Sequence, residues 1–121
     1  MRKVYSKRIK KLLREFMIEA YEIELNRELK KLVKSFVEWQ NGEISNGEMS
    51  SRIHDYDRGP SKDLWVKYND GDDAFNVAYA IVTGMINREE VPDDLLEAIK
   101  GQMNFYQDMK DRDELRMPGE E

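Results

Sequence analysis

The chain has no cysteine, one histidine, three prolines and seven glycines among its 121 residues. Without cysteine it can form no disulfide, and it offers no thiol nucleophile and no thiolate ligand for zinc. No run of about 20 apolar residues is present to cross a membrane as a helix, and the basic N-terminus lacks the apolar segment of a signal peptide. We therefore expect a cytoplasmic protein without a membrane segment.

Helix-breaking residues are absent from the first third of the sequence. The first glycine is Gly42 and the first proline is Pro60, so neither residue type interrupts positions 1–41. A helix over that range would extend about 60 Å, whereas a compact globule of this size is about 35 Å across. The segment must either bend or extend beyond the globule and require a partner.

Two apolar stripes run along this segment when residues are placed about 100° apart. One stripe contains Tyr5, Ile9, Leu12, Leu13, Phe16, Ala20 and Ile23. The other, on a roughly opposite face, contains Ile18, Tyr21, Leu25, Leu29, Leu32, Val33, Phe36 and Trp39. One straight helix cannot bury both stripes in one core. Either a continuous helix packs its first half away from the main core, or the chain bends near residues 24–26 and forms two helices of one bundle.

The remaining sequence predicts further helices and no strands. Gly42 should end the first helix, a short helix should cover about 47–57, and Gly59 with Pro60 should end it and start a third. An apolar helix over about 73–87 should be central, and a last helix should run from Pro92 to about residue 110. We predict a single all-α domain over 1–121, a bundle of five or six helices, with residues 1–24 as a possible basic amphipathic arm and 110–121 as a frayed tail.

Charge is distributed unevenly, although the net charge is only −5. Residues 1–14 hold seven Lys or Arg and no acid, while residues 70–97 hold eight acids and one Arg. Surfaces of opposite sign can attract within one chain or between chains. The basic segment could also bind nucleic-acid phosphates, although the acidic net charge argues against this.

Few residues suggest catalysis. His54 and Asp57 are three residues apart on a predicted helix, and Asp55 is adjacent, so a carboxylate could orient the imidazole. The competing interpretation is an ordinary surface histidine bonded to a nearby acid. No third ligand at suitable spacing suggests a metal site, and no motif suggests a cofactor, so we expect neither and do not expect an enzyme.

An anion site is conceivable at the predicted start of the third helix. Backbone N–H groups near Ser61 and Lys62, with the Arg58 and Lys62 side chains, could hold a phosphate or carboxylate. The alternative is a capped helix junction in which Arg58 pairs with local acids.

Three hypotheses about function follow. The leading one is protein association, as a homodimer through Ile9, Leu12, Leu13 and Phe16 on the N-terminal helix. The first alternative is a nucleic-acid accessory role for residues 2–14. The third is an enzyme or anion-binding site around His54, Asp57 and Arg58.

Overall fold

The computed structural model describes residues 4–119, and every regular element in this range is helical. The helices are α1 (Lys7–Gln40), α2 (Asn46–Tyr56), α3 (Lys62–Asp70), α4 (Asp73–Val82), α5 (Asp93–Ala98) and α6 (Lys100–Asp111). A π-helical turn (Asp57–Ser61) joins α2 to α3, and a 3₁₀ turn (Arg88–Glu90) precedes α5. The predicted all-α class with a long N-terminal helix is confirmed.

Helix α1 is continuous over 34 residues, and no break at residues 24–26 divides it into two helices. The Ser6 hydroxyl caps its start by accepting a hydrogen bond from the Ile9 amide at 3.2 Å. It ends at Gly42, whose φ of 75° lets the Glu43 amide bond back to the Glu38 carbonyl at 2.8 Å. At about 1.5 Å per residue the helix is about 50 Å long, so it exceeds the width of a compact globule of this size.

The first half of α1 lies on the core of its own chain, contrary to the expectation of an arm over residues 1–24. Ile9, Leu13 and Ala20 are buried in one cluster with α4, α5 and α6. Helix α4 is central, as predicted, with six of its ten residues buried. It is the second half of α1 that extends past this core, where it packs against α2 and the π-helical turn.

Gly59 and Pro60 do not separate two helices, contrary to prediction. Tyr56, Ser61 and Lys62 all keep right-handed helical backbone angles, and the Lys62 amide bonds to the Gly59 carbonyl. Proline has no amide hydrogen to continue the α-helical ladder, and the chain accommodates this with one wider π-helical turn. Helices α2 and α3 therefore follow one nearly continuous path.

Two other predicted boundaries change. Helix α4 stops at Val82 rather than residue 87, because Gly84 adopts a left-handed φ of 82° that ends the helix. The last predicted helix is divided at Ile99, whose φ of −110° and ψ of 22° are not helical, into α5 and α6.

Residues 110–119 fold back on the bundle rather than fraying. Lys110 donates to the Val82 carbonyl at 3.1 Å, and the Tyr79 hydroxyl donates to the Arg116 carbonyl at 2.6 Å. Leu115 packs against the core cluster. The predicted frayed tail is thus anchored over its described part, and residues 120–121 lie outside the described range.

Candidate functional site

The most unusual surface is an apolar stripe on α1 that the rest of residues 4–119 leaves largely exposed. We define the exposed stripe as Ile18, Leu25, Leu29, Leu32, Phe36 and Trp39, of which Leu25 and Leu32 are half-buried. Ile18 is 51% exposed and Leu29 41%, while neighbouring Val33 is 59% exposed. Phe36 and Trp39 are also exposed, and their rings meet edge to face at a centroid distance of 6.3 Å. This is the second stripe found in the sequence, so the deduction that one straight helix cannot bury both stripes is confirmed.

The exposed stripe has the spacing of a coiled-coil seam. From Ile18 to Trp39 its members recur at alternating intervals of three and four residues, once Glu22 is included as the one polar position. Residues at such intervals lie in one line along a helix and can insert between the side chains of a facing helix. The stripe can therefore form a helix-helix contact over about three heptads.

Helix α2 packs along one edge of the stripe. Arg52 donates to Glu38 at 2.8 Å and to Ser35 at 3.1 Å, and Leu32 lines a cleft with Arg52 and Tyr56. The Trp39 indole N–H donates to the Asn46 side chain at 2.7 Å on the same edge, because Trp39 lies four residues after Ser35. Ile53 is seven residues after Asn46, hence on the same side of α2, and it is exposed. Ile53 thus extends the apolar surface next to the stripe.

Charged residues beside the stripe change sign along α1. Lys7, Lys11 and Arg14 precede the stripe, and Glu15, Glu19 and Glu22 lie along its first part. All are exposed. The only ion pair recorded among them within residues 4–119 is a weak one, Lys11 to Glu15 at 4.0 Å. Most of these charges are therefore available to a partner.

The four residues predicted as an interface do not form an open surface. Ile9 is 8% exposed and Leu13 3%, both within the core, and Leu12 and Phe16 are half-buried against it. They cover α4 and its neighbours in their own chain. Their burial in the core of their own chain contradicts their prediction as contacts for a second subunit.

A buried polar cluster lies where α1 meets α3. The Glu24 carboxylate accepts hydrogen bonds from the Tyr68 hydroxyl and, at 3.0 Å, from the Lys67 ammonium. Burial first, and then the hydrogen bond to Glu24, raises the pKa of the Tyr68 hydroxyl well above its ordinary value. The Lys67 ammonium also lies 4.6 Å from the centre of the Tyr79 ring. The cluster fixes α3 against the middle of α1.

A cleft of about 790 Å³ opens between the start of α1 and the turn from α3 to α4. Lys10 and Arg14 lie on one wall, and Asp72 and Asp73 on the other. Burial and the neighbouring Asp72 raise the pKa of Asp73, while Arg14 acts in the opposite direction. Asp72 also caps α4 by accepting from the Phe75 amide at 3.1 Å, which gives that carboxylate a structural role. No sequence motif indicated this cleft.

The basic segment is partly neutralised within the chain. The Arg8 guanidinium donates to both carboxylate oxygens of Asp94, at 2.7 and 3.3 Å. This bond holds the pKa of the Asp94 carboxyl below its ordinary value. The expected attraction between the basic and acidic regions is therefore satisfied here inside one molecule. Arg2 and Lys3 of the proposed nucleic-acid segment lie outside the described residues.

The predicted catalytic residues do not converge. His54, Asp55 and Asp57 are all exposed on α2 and the following turn. Asp55 lines a shallow cleft of about 200 Å³ with Arg52 and Tyr56, whereas His54 and Asp57 line neither this cleft nor the one of about 790 Å³. The three residues therefore do not share a cleft among those described above.

The predicted anion site lacks the helix start on which it depended. The chain passes through Arg58, Ser61 and Lys62 as a continuous helical path, and the Lys62 amide already bonds to the Gly59 carbonyl. A helix has unpaired amides only in its first turn. The physical basis of the predicted anion site is therefore absent.

Comparisons and other site types add no assignment. Across residues 4–119 no three His, Asp or Glu side chains are grouped to hold a metal ion. No helix in that range has both the length and the apolarity required to span a membrane. The chain matches no protein family, and no curated protein or solved structure shows significant similarity to it.

Proposed function

We propose that this protein acts through protein association and that its first partner is a second copy of itself, bound through the exposed stripe. The observation that carries the proposal is the exposure of apolar side chains at coiled-coil spacing along the second half of α1. Helix α1 packs on the core with its first half and against α2 with its second half. The stripe is therefore presented on a preorganised surface, which lowers the entropic cost of binding.

The size of the stripe fits such a contact. Its side chains with Val33 expose roughly 500 Å² of apolar surface, near the upper end for a monomeric protein. A standard interface buries about 800 Å² per partner. The stripe can supply more than half of that area, and its charged flanks can supply the rest. Two identical stripes are complementary because the knobs and holes of a heptad seam are present on both.

The dimer can be tested with Leu29→Glu and Val33→Glu combined. Both side chains are exposed in the single chain, so the variant should keep its helical content and its free energy of unfolding. In a dimer it would place four charges in the interface and weaken association by at least about a hundredfold. Sedimentation equilibrium would measure this against the wild type.

Phe105→Glu is the matched control, since Phe105 is 52% exposed but lies on α6, away from the stripe. We expect it to leave association unchanged. Loss of the dimer in the control but not in the stripe variant would show that the interface is at Phe105 of α6, beside Phe75 of α4, and would contradict the proposal.

The nucleic-acid hypothesis for residues 2–14 remains the alternative. It requires binding to DNA or RNA with an affinity that falls steeply as salt rises. Fluorescence anisotropy with a short duplex and a single strand at two salt concentrations would test it.

A further inference from the structure

The order of charges along α1 carries an inference about how two copies are arranged, and it rests on the proposed dimer. We propose that the two α1 helices pair antiparallel, with the two-fold axis passing between Leu25 and Leu29. The order described above, basic first turns followed by Glu15, Glu19 and Glu22, distinguishes the two possible directions.

A parallel pairing in register brings like charges together. Each residue would face its own copy, so Glu22 would meet Glu22 inside the apolar seam, the most costly place for two carboxylates. Lys11 would meet Lys11 and, beside them, Lys7 and Arg14 would add further positive charge. No described acid of α1 lies among residues 7–14 to offset this repulsion.

An antiparallel pairing relieves these contacts. With the axis between Leu25 and Leu29, Leu25 of each copy faces Leu29 of the other copy. In the same register Ile18 faces Phe36 of the second copy, and Glu22 faces Leu32 of the second copy. The basic first turns of α1 then lie beside the second copy's connection between α1 and α2. That connection carries Glu43, at the level of Lys11, and Glu43 is exposed. Apolar contacts and charge therefore favour the same direction.

The absence of native cysteine permits a direct test with introduced ones. Ile18→Cys and Phe36→Cys are prepared separately in the full chain, and each is oxidised alone and after mixing with the other. Antiparallel pairing predicts a disulfide-linked dimer in the mixture and little in either variant alone. Efficient linkage of each variant with itself would show parallel pairing and overturn the inference. Phe105→Cys, off the stripe, is the control and should not be linked in any sample.

Sedimentation of the same samples tests dimer formation separately from the antiparallel orientation. A dimer by mass with no linkage in any sample would overturn the antiparallel register while leaving association in place. A monomer by mass with no linkage would overturn the proposed dimer, and the inference with it.

Charge reversal gives a second, independent readout at low salt. Antiparallel pairing predicts that Lys11→Glu and Glu43→Lys each raise the dissociation constant several-fold and that the double variant recovers most of the loss. Parallel pairing predicts the opposite sign for Lys11→Glu, because the new carboxylate would lie beside Lys7 and Arg14 of the second copy and would lower the net positive charge that the two copies bring together. Lys100→Glu, the same charge change on α6, should have no effect. Tighter association of Lys11→Glu would overturn the inference.

Discussion

At the scale of single residues, the most informative position is Glu24, the one charged side chain that is buried among residues 4–119. A buried carboxylate is tolerated only when donors replace its water. Here Tyr68 and Lys67 are those donors, and both come from α3. The cluster is thus a specific lock between α1 and α3, placed where α1 leaves the core.

Removing the acceptor should cost more than removing one donor. Glu24→Ala leaves the buried Tyr68 hydroxyl unpaired, and we expect the free energy of unfolding to fall by about 2 to 4 kcal/mol. Tyr68→Phe should cost less, about 1 to 2 kcal/mol, because Lys67 still pairs with Glu24. Urea unfolding measures both. Equal costs for the two variants would show that the hydroxyl does not depend on Glu24.

The same tyrosine predicts how stability changes with alkali. Burial raises the pKa of Tyr68 and of Tyr106 in the folded chain. The unfolded chain therefore releases these protons first, above about pH 10, and folding stability is complete below that pH and falls as pH rises further. Unfolding measured from pH 8 to 11 should show a shallower decline for Tyr68→Phe than for the wild type. An identical slope would contradict this assignment.

At the scale of elements, the sequence predicted α1 well but not its surroundings. The absence of glycine and proline from residues 1–41 predicted a long helix. The periodicity of its apolar residues predicted two stripes that one straight helix could not bury in a single core. Periodicity could not show which stripe meets the core, because both are apolar. That choice depends on Ala20, which is fully buried and small enough for close packing, and on Tyr68 from a distant helix, which satisfies Glu24.

The candidate sites were predicted less well, because they depended on helix ends. Gly and Pro commonly separate two helices. Gly59 and Pro60 therefore predicted a helix start, and with it an anion site at Ser61 and Lys62. In the structure Pro60 lies within a π-helical turn instead, and the local sequence does not predict such a turn. His54 and Asp57 are three residues apart, but a catalytic role also needs an enclosing surface, and both side chains are exposed.

Two glycines test the helix boundaries by opposite effects of the same substitution. Gly101 is in α6 with open space around its Cβ position, so Gly101→Ala should raise the free energy of unfolding by up to about 1 kcal/mol. Gly42 also has open space, but its φ of 75° strains any other side chain, so Gly42→Ala should lower stability by about 1 kcal/mol. Thermal unfolding would show both. A stabilised Gly42→Ala would mean that α1 does not end there.

At the scale of the whole molecule, charge and shape point to different roles. The basic and acidic regions were predicted to attract, and part of that attraction is used inside the chain, where Arg8 meets Asp94 and Arg14 lies opposite Asp73. The apolar side chains of the exposed stripe are not buried within the chain in the same way. It remains on the second half of α1, where the core ends and the helix continues.

The most direct test of this account is the mass of the wild-type chain in solution. Its single-chain mass is 14.4 kDa, and sedimentation equilibrium should be run over the range of about 1 to 100 µM, in which moderate affinities become visible. The account predicts a concentration-dependent rise to twice the single-chain mass, abolished by Leu29→Glu with Val33→Glu. A wild type that stays monomeric over the whole range would contradict it.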